Sequence, residues 1–325
     1  NHEICVCAHL TQTRHAQKAC AEMRENMAEN IILRNKFFVA DKLLDGVTRI
    51  TGLAGELCYL IEGTERTLLI DGLSGVGSLR AFVRELTELP VTMVATHGHI
   101  DHIGAAWEYG EVFIHPDDIA LMYTEMHSSV ESRLKFTGSN PAMEKRTKTR
   151  EEDVPPAHGI KTYPVYDGDV FQLGGMKIEV IGVPGHTYGT LVFLDRAKRV
   201  VYSGDACNIN TLLHLVGSTT VEEYLQSLQH FKTFQKDFDV TYGGHIRSAV
   251  PNTIIDDGIA MCRRILNETD EAVPLGSYAQ GAFLASDRGA DYVPKCGGYC
   301  NIVYRKDMKQ KRVHPEILGA PNYYR

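Results

Sequence analysis

The sequence predicts an α+β fold in which two sheets pack face to face with helices outside. Three observations support this. Short apolar runs rich in strand formers recur along the chain, separated by Gly-containing turns. Each half begins with strands and continues as strand–helix alternation, without a close sequence repeat. Three of the apolar runs are followed by glycine and then a His or Asp, and a fourth leads into His97, so their polar side chains would leave the core at strand ends.

Taken in order, residues 1–36 read as an N-terminal helical arm, because Thr11 to Asn30 is rich in Ala, Gln, Glu, Met and Arg. The Cys5, Cys7, His9 and His15 group is assigned to this arm rather than to a metal site. From Phe37 the pattern turns to strands at 47–50, 57–61 and 67–70, the last ending in Asp71-Gly72. Ser78 is expected to cap a helix with Leu79, Phe82, Val83 and Leu86 on one face. Val91 to Ala95 is a buried strand after Pro90, followed by a helix from Ile103 to Trp107. A strand at 111–114 precedes a helix from His115 through Met126, where His115 is read as structural. Residues 127–160 carry no strand pattern and form an insertion or lid beside the site. Within it, the basic run Lys145 to Arg150 reads as solvated loop. Strands resume at 169–173, 176–181, 190–194 and 199–202; the amphipathic helix 219–234, a strand at 239–242 and a helix from Asn252 to Leu266 follow. Tyr299 to Tyr304 reads as an edge strand.

Composition bounds the function. The chain has 325 residues, 43% hydrophobic and 23% charged, as in soluble globular proteins. Its net charge of −7 argues against nucleic acid as partner, and no apolar run could span a bilayer. The eight cysteines lack zinc-ribbon spacing and read as scattered reduced thiols, which points to the cytoplasm. The first residue is Asn, which reads as a processed or trimmed start; no signal peptide is visible.

The chemistry is concentrated in Thr96-His97-Gly98-His99-Ile100-Asp101-His102. Four metal-ligand side chains lie within six residues, directly after a core strand. On extended chain His97 and His99 point the same way. Imidazoles and a carboxylate at this density suit zinc or a similar divalent ion. His186, Asp205 and His245 each follow another strand and a glycine.

The His97, His99, Asp101, His102 cluster, with Pro184-Gly185-His186-Thr187, Ser203-Gly204-Asp205 and Gly243-Gly244-His245, resembles the metallo-β-lactamase superfamily over about residues 40–265. The resemblance implies a four-layer αββα sandwich with a dinuclear site at one edge. It assigns His97, His99 and His186 to one metal and Asp101, His102 and His245 to the second, with Asp205 as the bridge. Residues 37–265 then form the domain that carries the reaction, and 266–325 a C-terminal extension packed on it.

Such a site implies two divalent ions, Zn2+ first, with Mn2+ or Fe2+ as alternatives. Water held between them loses its proton near neutral pH and becomes a nucleophile. Asp205 and Asp101 are the expected catalytic carboxylates, Asp101 orienting the nucleophile or passing a proton to the leaving group. The expected function is hydrolysis of a small ester, lactone, thioester or phosphoester, with a small molecule as partner, no nucleic acid, no membrane and no further cofactor. Homo-oligomerisation is left open. An Asp at the bridging place resembles the glyoxalase II, lactonase and phosphodiesterase-like branches and departs from true β-lactamases. Asn208 stands where the lactonases have tyrosine, and the segment after Leu266 departs from glyoxalase II. Two alternatives are a one-iron enzyme similar to the persulfide dioxygenases and a metal-binding module without catalysis. The extension is read chiefly as its own packing unit; a second reading has Tyr292, Lys295, Tyr299 and Tyr304 covering the cleft.

Overall fold

The computed structural model describes residues 30–138, 149–289 and 293–310. The expected helix from Thr11 to Asn30, the Cys5–His15 group, most of the basic run and Tyr292 lie outside the described residues.

The first sheet has eight strands in chain order: β1 (Ile31–Arg34), β2 (Val39–Leu44), β3 (Val47–Thr51), β4 (Leu57–Glu62), β5 (Thr67–Ile70), β6 (Val91–Val94), β7 (Glu111–Ile114) and β8 (Lys161–Pro164). Its first five strands are antiparallel hairpin neighbours, and β5 to β8 run parallel. Parallel pairing needs crossovers, which the helices between these strands supply. The second sheet runs β15 (Val250–Pro251), β14 (Val240–Gly243), β12 (Val200–Gly204), β11 (Leu191–Asp195), β10 (Lys177–Gly182), β9 (Val170–Gln172).

Side chains alternate across a strand, so each sheet feeds two cores. Leu57, Tyr59 and Ile61 of β4 point between the sheets, where Tyr59 meets Tyr202 of β12 with ring centroids 5.0 Å apart. Cys58 and Leu60 point outward, beneath Phe82, Val83 and Trp107. On the far side, Val201 packs with Val221, Tyr224, Leu228 and Phe231 of the helix Val221–Lys232 and with the helix Ile254–Leu266. Thr220 and Glu223 close a reciprocal cap on the first of these helices. Helices, two sheets and helices make the four-layer αββα sandwich expected from the sequence.

Several local expectations are corrected. Residues 31–34, placed in the helical arm, form β1 against β2. The helix expected at 103–107 is two short ones, Ile100–Ile103 and Ala106–Tyr109, parted at Gly104. The Gly104 and Ala105 amides donate to the Leu73 and Gly72 carbonyls rather than to the preceding turn, which ends the first helix, and a Cβ on Gly104 would lie 2.1 Å from the Gly75 amide nitrogen. The helix after His115 stops at Met122, and Glu125–Ser128 and Val130–Gly138 are separate helices.

The extension also differs from expectation. Asn301–Arg305 is β18, an inner strand of a third, four-stranded sheet ordered β13 (Asn210–Leu213), β18, β17 (Ala282–Leu284), β16 (Val273–Pro274). It pairs in parallel with β13, a strand that was not foreseen and that follows Asp205 closely. Tyr304 is buried with its hydroxyl on Asp270, and Lys295 pairs with Asp287. Both contacts lie within the extension.

Candidate metal centre

β10 and β12 each pair antiparallel with β11, and β14 pairs parallel with β12, so the three strands run the same way. Their C-terminal ends deliver His186, Asp205 and His245 to one edge of the sandwich. There they meet His97 to His102, carried by the end of β6 and the first turn of the next helix. Cross-links hold the edge closed: Leu191 donates its amide to the Thr96 carbonyl, Leu57 to the Gly244 carbonyl, and the Tyr59 hydroxyl to the Gly243 carbonyl at 2.6 Å. Gly244 has a steric reason to be glycine, since a Cβ would lie 2.7 Å from His102 Cε1 and 2.9 Å from Asp205 Oδ1.

All seven residues singled out from the sequence come together. Three groups of side chains lie close enough to hold an ion: His97, His99 and His186; His97, His102 and Asp205; Asp101, His102 and His245. In the first group, His99 Nδ1 lies 3.0 Å from His97 Nε2 and 2.9 Å from His186 Nε2. Nitrogens sharing a tetrahedral zinc are separated by roughly 3.3 Å, so a small outward shift of these rings would admit one ion between them. Asp205 stands between the groups, its Oδ2 at 3.2 Å from His245 Nε2, 3.5 Å from His186 Nε2 and 3.8 Å from His102 Nε2. Asn208 donates its amide to Asp205 Oδ1 at 2.9 Å.

Electrostatics and tautomers suit a cation. Burial, reinforced by neighbouring imidazoles, holds His97 and His99 well below the ordinary histidine range. Burial also lowers His186. All three are therefore neutral, the form that binds metals. His186 donates its Nδ1 proton to the Leu212 carbonyl of β13 at 2.9 Å, which leaves Nε2 free. The extension's β18 thereby braces the strand that orients this ring.

Burial would lower His102 too, but Asp71 and Asp101 outweigh it and raise it to about 9. His245 stands at the mouth, 38% exposed; desolvation opposes its charge, yet Asp205 and Asp101 hold it well above the usual range. Burial alone would raise Asp101 and Asp205. The histidines beside them keep both well below the carboxylate range. The carboxylates thus create a place for positive charge, and His102 Nε2, buried without a hydrogen-bond partner, is aimed at it.

Sequence reasoning missed the residues that hold these ligands. Asp71 accepts the Thr96 amide at 2.7 Å, the Thr96 hydroxyl at 3.0 Å and the His102 Nδ1 proton at 2.7 Å. The Thr96 hydroxyl in turn lies 3.0 Å from His97 Nδ1. Asp118 Oδ2 accepts the Gly98 amide and the Thr187 hydroxyl, each at 2.7 Å, while Oδ1 accepts the Gly189 amide at 2.9 Å. It therefore clamps the two loops that carry His97, His99 and His186. Their available signals were Asp71 at a strand end and Asp118 at a helix start, both common positions for a structural Asp. His127 packs on His99 with ring centroids 4.9 Å apart, and burial pulls it down to about 4. Nothing in its surrounding sequence marks it.

Asp71→Asn presents an NH2 group where three donors converge. It is expected to weaken metal binding about 10–100-fold, the usual effect of losing a partner behind a ligand. Chelator competition on the purified variant measures this.

Fold and centre define a protein class: an αββα sandwich with a histidine- and aspartate-lined metal-binding cleft at the sheet edge. Residues 51–245, more than half the chain, match the family model of the metallo-beta-lactamase superfamily, and the chain belongs to that superfamily. The acyl-coenzyme A thioesterase MBLAC2 of Gallus gallus is 27% identical over 180 residues, covering 53% of this chain and 64% of that protein. Its namesake from Homo sapiens is 28% identical over 184 residues, covering 51% and 63%. The match spans less than two thirds of either relative. A double mutant of the sec-alkyl sulfatase PisA1 superimposes with a TM-score of 0.57 at 16% identity, over 87% of this chain and 51% of that one, a likeness of fold alone. Among the described residues, no helix is long and apolar enough to cross a membrane.

Proposed function

We propose that this chain is a dinuclear metal-dependent hydrolase of small acyl esters, with acyl thioesters the first class to test. His97, His99 and His186 would hold one ion and Asp101, His102 and His245 the other, with Asp205 available to both. What supports this is the convergence of two donor groups on Asp205 Oδ2, within 3.2–3.8 Å of His245, His186 and His102. The thioesterase activity named for the MBLAC2 relatives favours thioesters over lactones and phosphoesters.

When bound, the metal pair supplies a water that is deprotonated at neutral pH and an electrophile for the carbonyl oxygen. The chain's own groups do the rest. Asp205 would place its negative charge among the rings of His102, His186 and His245 where the cations bind, and is steadied by Asn208. Asp101 Oδ2 lies 3.2 Å from His245 Nε2 at the exposed mouth, where it orients the attacking water or hands a proton to the departing group. Asp71 and the Leu212 carbonyl keep His102 and His186 in the tautomers that present Nε2.

Elemental analysis of protein purified without added metal, together with a panel of acyl thioesters, lactones and phosphodiesters, tests the reading. The expected result is about two zinc or manganese ions per chain and thioester turnover that chelation removes and metal restores. One iron per chain with oxygen uptake and no hydrolysis would replace it with the oxidation chemistry of a persulfide-dioxygenase-like enzyme. Metal-loaded protein inert across the whole panel would leave a binding module.

A further inference from the structure

We infer that His127 is a catalytic hydrogen-bond donor whose Nε2–H engages the oxygen of the scissile carbonyl, at the edge of the cleft formed by His99. The inference rests on the acyl-hydrolase reading for the identity of that oxygen, and on geometry for the donor itself. The helix Ile100–Ile103, which carries Asp101 and His102, begins at His99 without a side-chain cap from that residue. His127 supplies what is missing: its Nδ1 accepts the Ile100 amide at 3.2 Å. A neutral imidazole has one donor and one acceptor nitrogen, so a ring accepting through Nδ1 carries its proton on Nε2. The ring is 6% exposed and lies tilted at 44° against His99, so it is held on both sides.

Nε2 has no hydrogen-bond partner among the described residues, yet it is not one of the buried orphaned atoms. It is therefore an N–H donor, fixed through Nδ1 and not sealed from solvent, on a ring packed against the candidate ligand His99. A donor fixed beforehand, in a partly water-excluded setting, stabilises the charge that grows on a carbonyl oxygen as the tetrahedral state forms. A merely structural cap needs only Nδ1, so the two ring nitrogens separate the two roles.

Asn and Gln substitutions separate them in practice. In His127→Asn, Oδ1 takes the place of Nδ1 and still accepts the Ile100 amide, but no donor reaches the Nε2 position. In His127→Gln, the amide nitrogen reaches the Nε2 position while Ile100 loses its cap. On zinc-loaded full-length chain with an acyl thioester, His127→Asn is expected to lower kcat by about 10²-fold, the effect of losing one such donor, with KM and Tm little changed. His127→Gln is expected to keep most of kcat and to lower Tm. Inorganic phosphate, a tetrahedral oxyanion, is the parallel probe, and its Kd is expected to weaken about tenfold in the Asn variant and not in the Gln variant. Nitrogen-detected NMR of the metal-free protein should find His127 protonated at Nε2.

Equal kcat and equal phosphate affinity in wild type and His127→Asn would overturn the inference, as would a proton on Nδ1. Absence of both turnover and phosphate binding in the wild type would overturn it too. Weaker phosphate binding in His127→Asn with no thioester turnover by the wild type would uphold the donor and sink the thioesterase reading instead.

Discussion

Replacing Asp205 with alanine is expected to lower kcat/KM on the responsive substrate by at least about a thousandfold, or about 4 kcal/mol of transition-state stabilisation. Asp205 Oδ2 lies within 3.8 Å of Nε2 on His102, His186 and His245. In the proposed dinuclear centre alanine would remove the negative charge that offsets the two cations, so metal per chain should fall together with rate. The fold should persist, because Asp205 sits at a strand end and its side-chain bonds, from Asn208 and His245, are confined to the cleft. Steady-state kinetics, elemental analysis and a thermal scan on one preparation check all three parts. An unchanged rate in both Asp205→Ala and His245→Ala would refute the assignment of the centre.

The second large effect is expected at a residue that touches no ligand donor atom. Asp118→Ala deprives the Gly98 amide, the Gly189 amide and the Thr187 hydroxyl of their common acceptor at a buried position. A buried donor left unsatisfied costs about 1–3 kcal/mol, and partial relaxation makes about 3–5 kcal/mol a reasonable total for three. Urea unfolding should show a lower midpoint at unchanged slope. Rate should fall as well, since the clamp sets His97 and His99 against His186. Asp118→Asn, which keeps an acceptor oxygen but turns an NH2 toward at least one donor, should lie between wild type and alanine in both measurements. Wild-type stability in the alanine variant would show that water replaces the carboxylate and that the loops need no clamp.

The sequence by itself marked the candidate ligands and the layers. His97, His99, Asp101 and His102 are neighbours in the chain, and His186, Asp205 and His245 each follow an apolar run and a glycine. Such signals are local: side-chain period, strand ends and ligand density are visible within a few residues. The sandwich followed from the same local patterns, because a sheet with one apolar face must bury it against another layer.

Tertiary structure alone decided what holds those ligands. Asp71 and Asp118 act through residues 25, 31, 20, 69 and 71 positions away. No short-range pattern records pairings at that range. Their carboxylates look like ordinary turn and helix-start residues until the loops they bind are in place. β13 was illegible for a related reason. Its four residues gain a strand's hydrogen bonds only from β18, some ninety residues later. With those bonds it positions the Leu212 carbonyl that orients His186. His127 lies in the most weakly patterned segment of the chain. The distant packing of its helix, which sets Nδ1 against the Ile100 amide, is what turns an unmarked histidine into a fixed N–H donor.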